Sequence, residues 1–180
     1  MYISHLVNLT TRSWALPLLA ALHEGVPGRQ APLLKATGAG RTAFAQSLQH
    51  LIETGLLERN PGHGHPLRPE FRLTEQGVTA AALAAQVQGA TAAQDRDLLR
   101  KAWTLPVLTQ LHKPRQFTEI KQGLMTISDR ALSQSLRGME ERRWITRTVE
   151  PLARPPRPVY TAVHTGAALA KITSTALRAA

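Results

Sequence analysis

A chain of 180 residues with 43% hydrophobic side chains is long enough to bury one mid-sized core or two small ones, and its composition excludes disorder as the default state. It contains no cysteine, which excludes disulfides, thiol catalysis and a thiol redox switch and fits a reducing cytoplasm. Lys and Arg number 22 against 12 Asp and Glu, a net charge of +10 that favours polyanionic partners, nucleic acid first. The charge is uneven: residues 1–89 carry 7 basic and 5 acidic side chains, residues 90–180 carry 15 and 7. The opening Met1-Tyr2-Ile3-Ser4-His5 has no basic segment followed by an apolar run, so no signal peptide is expected. The apolar stretches Leu16–Leu22 and Val78–Val87 are too short to span a membrane, so none is expected as a partner.

In chain order, the first expected helix runs from Ser13 to His23, with Pro17 marking a kink or a helix start. A short second helix follows, with Pro32 in its first turn. A third buries Phe44, Leu48 and Leu51, spaced i, i+4, i+7 on one face. Two β-runs, Leu56–Asn60 and Glu70–Leu73, flank a Pro- and Gly-rich tip, and an Ala-rich helix from Thr74 to Gln88 closes the set. The same order then recurs. A helix from about Asp97 to His112 contains Pro106, and Phe117–Gln122 forms a short second helix. The third is N-capped by Ser128, with Asp129 favoured at the positive helix end and Leu132, Leu136 and Met139 on its buried face. Strands at Trp144–Val149 and Val159–Ala162 and a helix from Thr165 to Arg178 complete it.

The recurrence extends to single residues. Trp14-Ala15-Leu16-Pro17-Leu18-Leu19 returns as Trp103-Thr104-Leu105-Pro106-Val107-Leu108, and Gln46-Ser47-Leu48 as Gln134-Ser135-Leu136. Arg29-Gln30 matches Arg115-Gln116, Arg59 matches Arg147, Phe71 matches Tyr160 and Gly77 matches Gly166. The offset stays between 86 and 89. Two modules, 1–89 and 90–180, are therefore expected, each with three helices, a β-hairpin and a closing helix. That order is a winged helix-turn-helix: mainly α, with small β-hairpin wings.

The second module resembles the HxlR family of transcription regulators, relatives of MarR. The residues that carry the resemblance are Lys101-Ala102-Trp103, Arg115-Gln116-Phe117-Thr118-Glu119-Ile120, Ile127-Ser128, Met139-Glu140, Trp144-Ile145-Thr146-Arg147 and Pro158-Val159-Tyr160. The first module is more diverged. It keeps Trp14, Gly55-Leu56-Leu57-Glu58-Arg59 and Phe71-Arg72-Leu73-Thr74-Glu75-Gln76-Gly77, but reads Ala39-Gly40 where the second has Ile127-Ser128. The family resemblance implies homodimers of one module. Two in a chain then imply a pseudo-two-fold intramolecular pseudo-dimer, held by helices around Thr74–Gln88, Ala92–Leu99 and Thr165–Arg178.

In a helix-turn-helix the third helix enters the major groove, and its exposed polar residues reach base edges. The candidates are Arg130, Ser133, Gln134 and Arg137 in the second module and Arg41, Thr42, Gln46 and Gln49 in the first. The wing tips supply candidates for phosphate or minor-groove contact in Arg154, Arg157 and Arg68, with His63 and His65 beside the last. Arg59 and Arg147 are equally consistent with a backbone contact or a carboxylate partner. The pair His63 and His65 lacks a third metal ligand, and no nucleophile–base pair or phosphate loop stands out, so neither metal, cofactor nor enzyme activity is expected. Trp14 and Trp103 read as core residues, with the lining of a small-molecule effector pocket as the alternative suggested by MarR relatives. Double-stranded DNA is the expected partner, and further homodimerisation stays open. Three functions remain: a regulator reading two half-sites, an architectural or genome-maintenance DNA binder indifferent to sequence, and a winged-helix protein-interaction module.

Overall fold

Two prolines set where the first long helix of each module begins. The first turn of a helix leaves its N–H groups unpaired, so a proline fits there without losing a hydrogen bond. Pro17 and Pro106 each stand third in their helices, which start at Ala15 and Thr104. In the second module this divides the expected 97–112 helix: Arg96–Leu99 forms a short helix of its own, and Thr104–Gln110 starts afresh. The Thr104 hydroxyl donates to the Leu98 carbonyl at 2.7 Å and closes the turn between them.

The structure, a computed structural model, describes residues 2–60, 69–150 and 157–178. The chain forms two compact units, one of residues 12–89 and one joining residues 1–11 to residues 90–180. The elements are α1 (Ile3–Thr10), α2 (Ala15–His23), α3 (Gln30–Thr37), α4 (Arg41–Glu53), β1 (Leu57–Asn60), β2 (Glu70–Leu73) and α5 (Glu75–Gly89). A 3-10 turn at Ala93–Asp95 leads into α6 (Arg96–Leu99), α7 (Thr104–Gln110), β3 (Arg115–Gln116), α8 (Phe117–Leu124), α9 (Asp129–Glu141), β4 (Ile145–Glu150), β5 (Arg157–Ala162) and α10 (His164–Arg178). This is the tandem winged-helix order read from the sequence, with α1 and β3 added. No helix among the described residues is long and apolar enough to cross a membrane.

In the unit of residues 12–89, α5 lies along α2, and α3 and α4 also pack on α2. Leu18, Leu19, Leu33, Phe44 and Leu51 form the buried centre. In the other unit α10 lies along α7 in the same way, and Leu105, Leu108, Ile120, Leu132, Met139 and Trp144 are buried. There α1 also packs on α7, burying Leu6 and Leu9. A buried hydrogen bond, Thr109 to Thr173 at 2.8 Å, ties α7 to α10. Burying two hydroxyls is tolerated because each is satisfied, Thr173 donating onward to the Leu169 carbonyl at 2.9 Å.

The wings keep the repeat to the residue. Arg59 stands opposite Phe71 in the β1–β2 pair, and Arg147 stands opposite Tyr160 in the β4–β5 pair. The second wing gains a third strand, in the order β3-β5-β4. In the first module that strand shrinks to one bond, from the Phe71 N–H to the Gly28 carbonyl at 2.6 Å.

Each third helix ends in the same left-handed turn. Leu56 N–H donates to the Leu51 carbonyl and Trp144 N–H to the Met139 carbonyl, both at 2.9 Å, across a residue of positive φ. In the first module that residue is Gly55 (φ 71), which has no Cβ to clash; in the second it is Arg143 (φ 56), which has one. A non-glycine residue in this region is disfavoured by about 1–2 kcal/mol. Glycine's greater unfolded-state freedom offsets part of that, so Arg143→Gly is expected to stabilise the protein by about 0.5–1 kcal/mol. A higher urea midpoint at unchanged slope would show it; an unchanged or lower midpoint would mean that Arg143 carries no strain.

Candidate nucleic-acid interface

The α3–α4 and α8–α9 pairs are the helix-turn-helix elements, and in each the second helix shows the same division of faces. In α9, Leu132, Leu136 and Met139 are buried, while Arg130, Ser133, Gln134 and Arg137 are exposed. In α4, Phe44, Ser47, Leu48 and Leu51 are buried, while Arg41, Thr42, Gln46 and Gln49 are exposed. Both helices have 13 residues, so their positions correspond one to one. Arg130, Gln134 and Arg137 fall at i, i+4, i+7, and Thr42, Gln46 and Gln49 occupy the same places. At 1.5 Å per residue this face spans about 10 Å, or about three base steps of 3.4 Å. The second module thus presents two guanidiniums and an amide where the first presents a hydroxyl and two amides.

The two helix starts differ. Ser128 caps α9, accepting from the Ala131 N–H at 3.2 Å, and Asp129 pairs with Lys121 of α8 at 2.6 Å. Both partners of that pair are exposed, so it orients the two helices more than it stabilises them. In α4 the cap is Gly40, with no side-chain bond, and the first helical residue is Arg41. A cation beside the positive end of the helix dipole is unfavourable. No ion pair among the described residues compensates it.

Among the predicted base-reading residues, Gln49 alone has a side-chain partner in its own helix, donating to Glu53 at 3.0 Å. Arg130 and Arg137 make no ion pair among the described residues. Arg157 begins β5, exposed, opposite Glu150 in the strand register. Arg68, Arg154, His63 and His65 lie outside the described residues. Of the two readings left open for Arg59 and Arg147, no carboxylate partner is found for either among the described residues. No group of three or more His, Cys, Asp or Glu side chains that could hold a metal occurs among the described residues.

One contact had no sequence signal. Arg142, the residue that ends α9, reaches Asp95 at 2.5 Å, Asp97 at 3.1 Å and the Gln94 carbonyl at 3.1 Å. The hydrogen bond to Asp95, with the charge of Asp97, holds the guanidinium pKa above its ordinary value. The clamp fixes the C-terminal end of α9 to the 3-10 turn and α6. The partners are 45 to 48 residues apart in sequence, and Thr54 ends α4 in the first module with no such reach, so neither spacing nor repeat could reveal it.

A helix pair whose second member exposes a polar, partly cationic face, followed by a two- or three-stranded wing, defines a winged helix-turn-helix protein. The pattern of the HxlR-like helix-turn-helix family matches twice, over residues 9–94 and 98–178, and the chain belongs to that family of DNA-binding transcription regulators. Among solved structures, it is similar to a MarR-family transcriptional regulator from Porphyromonas gingivalis W83, with TM-score 0.42, 21% identity and coverage of 47% of this chain and 83% of the other. It is also similar to the reduced form of the transcriptional regulator YodB from B. subtilis, with TM-score 0.40, 26% identity and coverage of 46% and 80%. No curated protein compared with the chain matches it.

Proposed function

We propose that this protein is a transcription regulator that reads two half-sites of duplex DNA, one with α4 and one with α9, within a single chain acting as its own dimer. The observation that carries this reading is the repeated polar face, the same i, i+4, i+7 positions exposed on both third helices above a buried apolar stripe. The net charge of +10 supplies the attraction to phosphate that binding of either kind requires. The faces are unlike in charge, so the two half-sites should differ in sequence: guanine contacts suit the arginines of α9 and adenine contacts the glutamines of α4. The wing arginines Arg68, Arg154 and Arg157 serve phosphate or minor groove in this reading. A small-molecule effector and a further homodimer are compatible with it and are not required by it.

The direct test is fluorescence anisotropy on the DNA upstream of the protein's own gene and on a random duplex of equal length, from about 50 to 200 mM salt. Upstream binding at least ~1000-fold tighter supports the regulator. Equal, steeply salt-dependent binding to both would favour an architectural role, and no binding to either would favour a protein partner. A wing substitution gives a second check. Arg157→Ala should weaken all duplexes alike and reduce the slope of log K against log salt by about 1, as for one lost phosphate contact. A loss confined to one sequence would contradict the phosphate role.

A further inference from the structure

We propose that two side chains in one row at the root of the second wing, Arg115 and Arg147 on either side of the buried Tyr160, grip one phosphodiester of the DNA backbone. The proposal deepens the DNA-binding reading and rests on it. Arg115 of β3 and Arg147 of β4 both stand directly opposite Tyr160 of the central strand β5. Residues opposite one another across a sheet project on the same face, and adjacent strands lie about 4.8 Å apart. Two guanidiniums therefore flank the Tyr160 ring, their backbones about 10 Å apart.

Nothing in the described chain neutralises them. Neither arginine forms an ion pair among the described residues, and the Arg115 Nε–H is buried with no hydrogen-bond partner. A buried, unsatisfied charged donor is destabilising, and such groups call for an explanation. The first module shows that folding does not demand it. Helices α3 and α8 begin after Arg29 and Gln116 respectively, so the structure corrects the sequence match of Arg29 with Arg115 by one residue, and Gly28 takes the strand position of Arg115. A Cβ at Gly28 would collide with the Phe71 carbonyl oxygen, because the backbones close directly on each other there. Phe71 stands where Tyr160 does and is buried as Tyr160 is; Arg59 alone is kept. The second module thus carries one more guanidinium on a wing that also forms without it. Two forked cations suit a tetrahedral anion with several acceptor oxygens. A duplex held by α9 brings phosphates to the wing, and such contacts fix register without reading sequence.

The test compares Arg115→Gln and Arg147→Gln with Arg59→Gln, the counterpart in the first wing, by anisotropy on the upstream and random duplexes and by thermal unfolding. Each of the two second-wing arginine changes is expected to weaken both duplexes about tenfold, the size of one charge-assisted hydrogen bond, and to lower the salt slope by about 1. Arg115→Gln should leave the melting temperature unchanged or raised, and Arg59→Gln should have the smaller effect on binding. Wild-type affinity and slope in both second-wing variants, while Arg130→Ala still weakens binding, would overturn the row and leave the DNA reading intact. A melting temperature that falls in step with affinity would make the arginines structural and overturn it too. If the wild type binds no duplex, the DNA reading itself has failed. In that case a titration with inorganic phosphate that raises the melting temperature of the wild type but not of Arg115→Gln would assign the row to a free anion and overturn the backbone source.

Discussion

Replacing Gly166 with alanine is expected to destabilise the protein by about 3 kcal/mol or more, and Gly77→Ala should do the same in the first module. Both glycines sit in the first turn of the closing helix, at Gly77 of α5 and Gly166 of α10. There the helix meets the residue that leads into the first wing strand. The Thr74 N–H donates to the Leu56 carbonyl at 3.2 Å and the Val163 N–H to the Trp144 carbonyl at 2.8 Å. A Cβ on either glycine would run into that same carbonyl oxygen, an obstruction made of backbone that no rotamer change can relieve. Helix and wing would have to separate, breaking the bond and loosening Trp144, which is 2% exposed. For a module of about 90 residues, each kcal/mol moves the melting temperature by about 4–8 °C, so the loss should exceed 10 °C. Gly138 supplies the control. It lies inside α9, where a Cβ would meet only Leu98 and Lys101 side-chain atoms at 3.6 Å. Gly138→Ala should therefore stabilise by about 0.5–1 kcal/mol. Equal effects at 138 and 166 would rule out the steric account.

The largest expected effect on binding is at Arg130. If α9 reads base edges, Arg130→Ala should weaken duplex binding by about 1–3 kcal/mol, roughly 5- to 150-fold, and relax preference at one base position. Arg130 is exposed, with no ion pair among the described residues, so no contact within the chain is lost and stability should hold. Thr42→Ala, at the matching position of α4, should have a smaller effect because a hydroxyl makes the weaker base contact. Footprints that change in only one half of a protected site would assign α9 to that half. Unchanged affinity for Arg130→Ala would move the DNA face away from this helix.

How much of this was legible in the sequence depends on the range of the interaction involved. The third helices, their buried stripes and the Ser128 cap follow from local periodicity, and the structure has them within a residue or two. The wing register was implicit in the matched pairs Arg59–Arg147 and Phe71–Tyr160. The start of α7 was half legible: Pro106 announced a kink or a start, but the choice rests on the Thr104 hydroxyl capturing the Leu98 carbonyl. Helix α1 was missed because its apolar pattern is short and its partner α7 lies in the distant half of the chain. Strand β3, of two residues, is defined only by what it pairs with. The Arg142 clamp was invisible for the same reason. The candidates on α4 and α9 are exposed as the sequence reading had them, Trp14 and Trp103 are half-buried rather than core residues, and Arg68 and Arg154 lie outside the described residues.

The placement of α1 bears on how the protein is made. Synthesis releases α1 before residues 12–89, and the helix it packs against emerges only after that whole unit has left the ribosome. Leu6 and Leu9, 0% and 3% exposed in the finished molecule, spend that interval without their partner. Residues 12–89 can complete a core at once, while the second core stays open at one side until α7 and the waiting α1 meet. The order of assembly is therefore not the order of synthesis: α1, made before residues 12–89, is set in place after them.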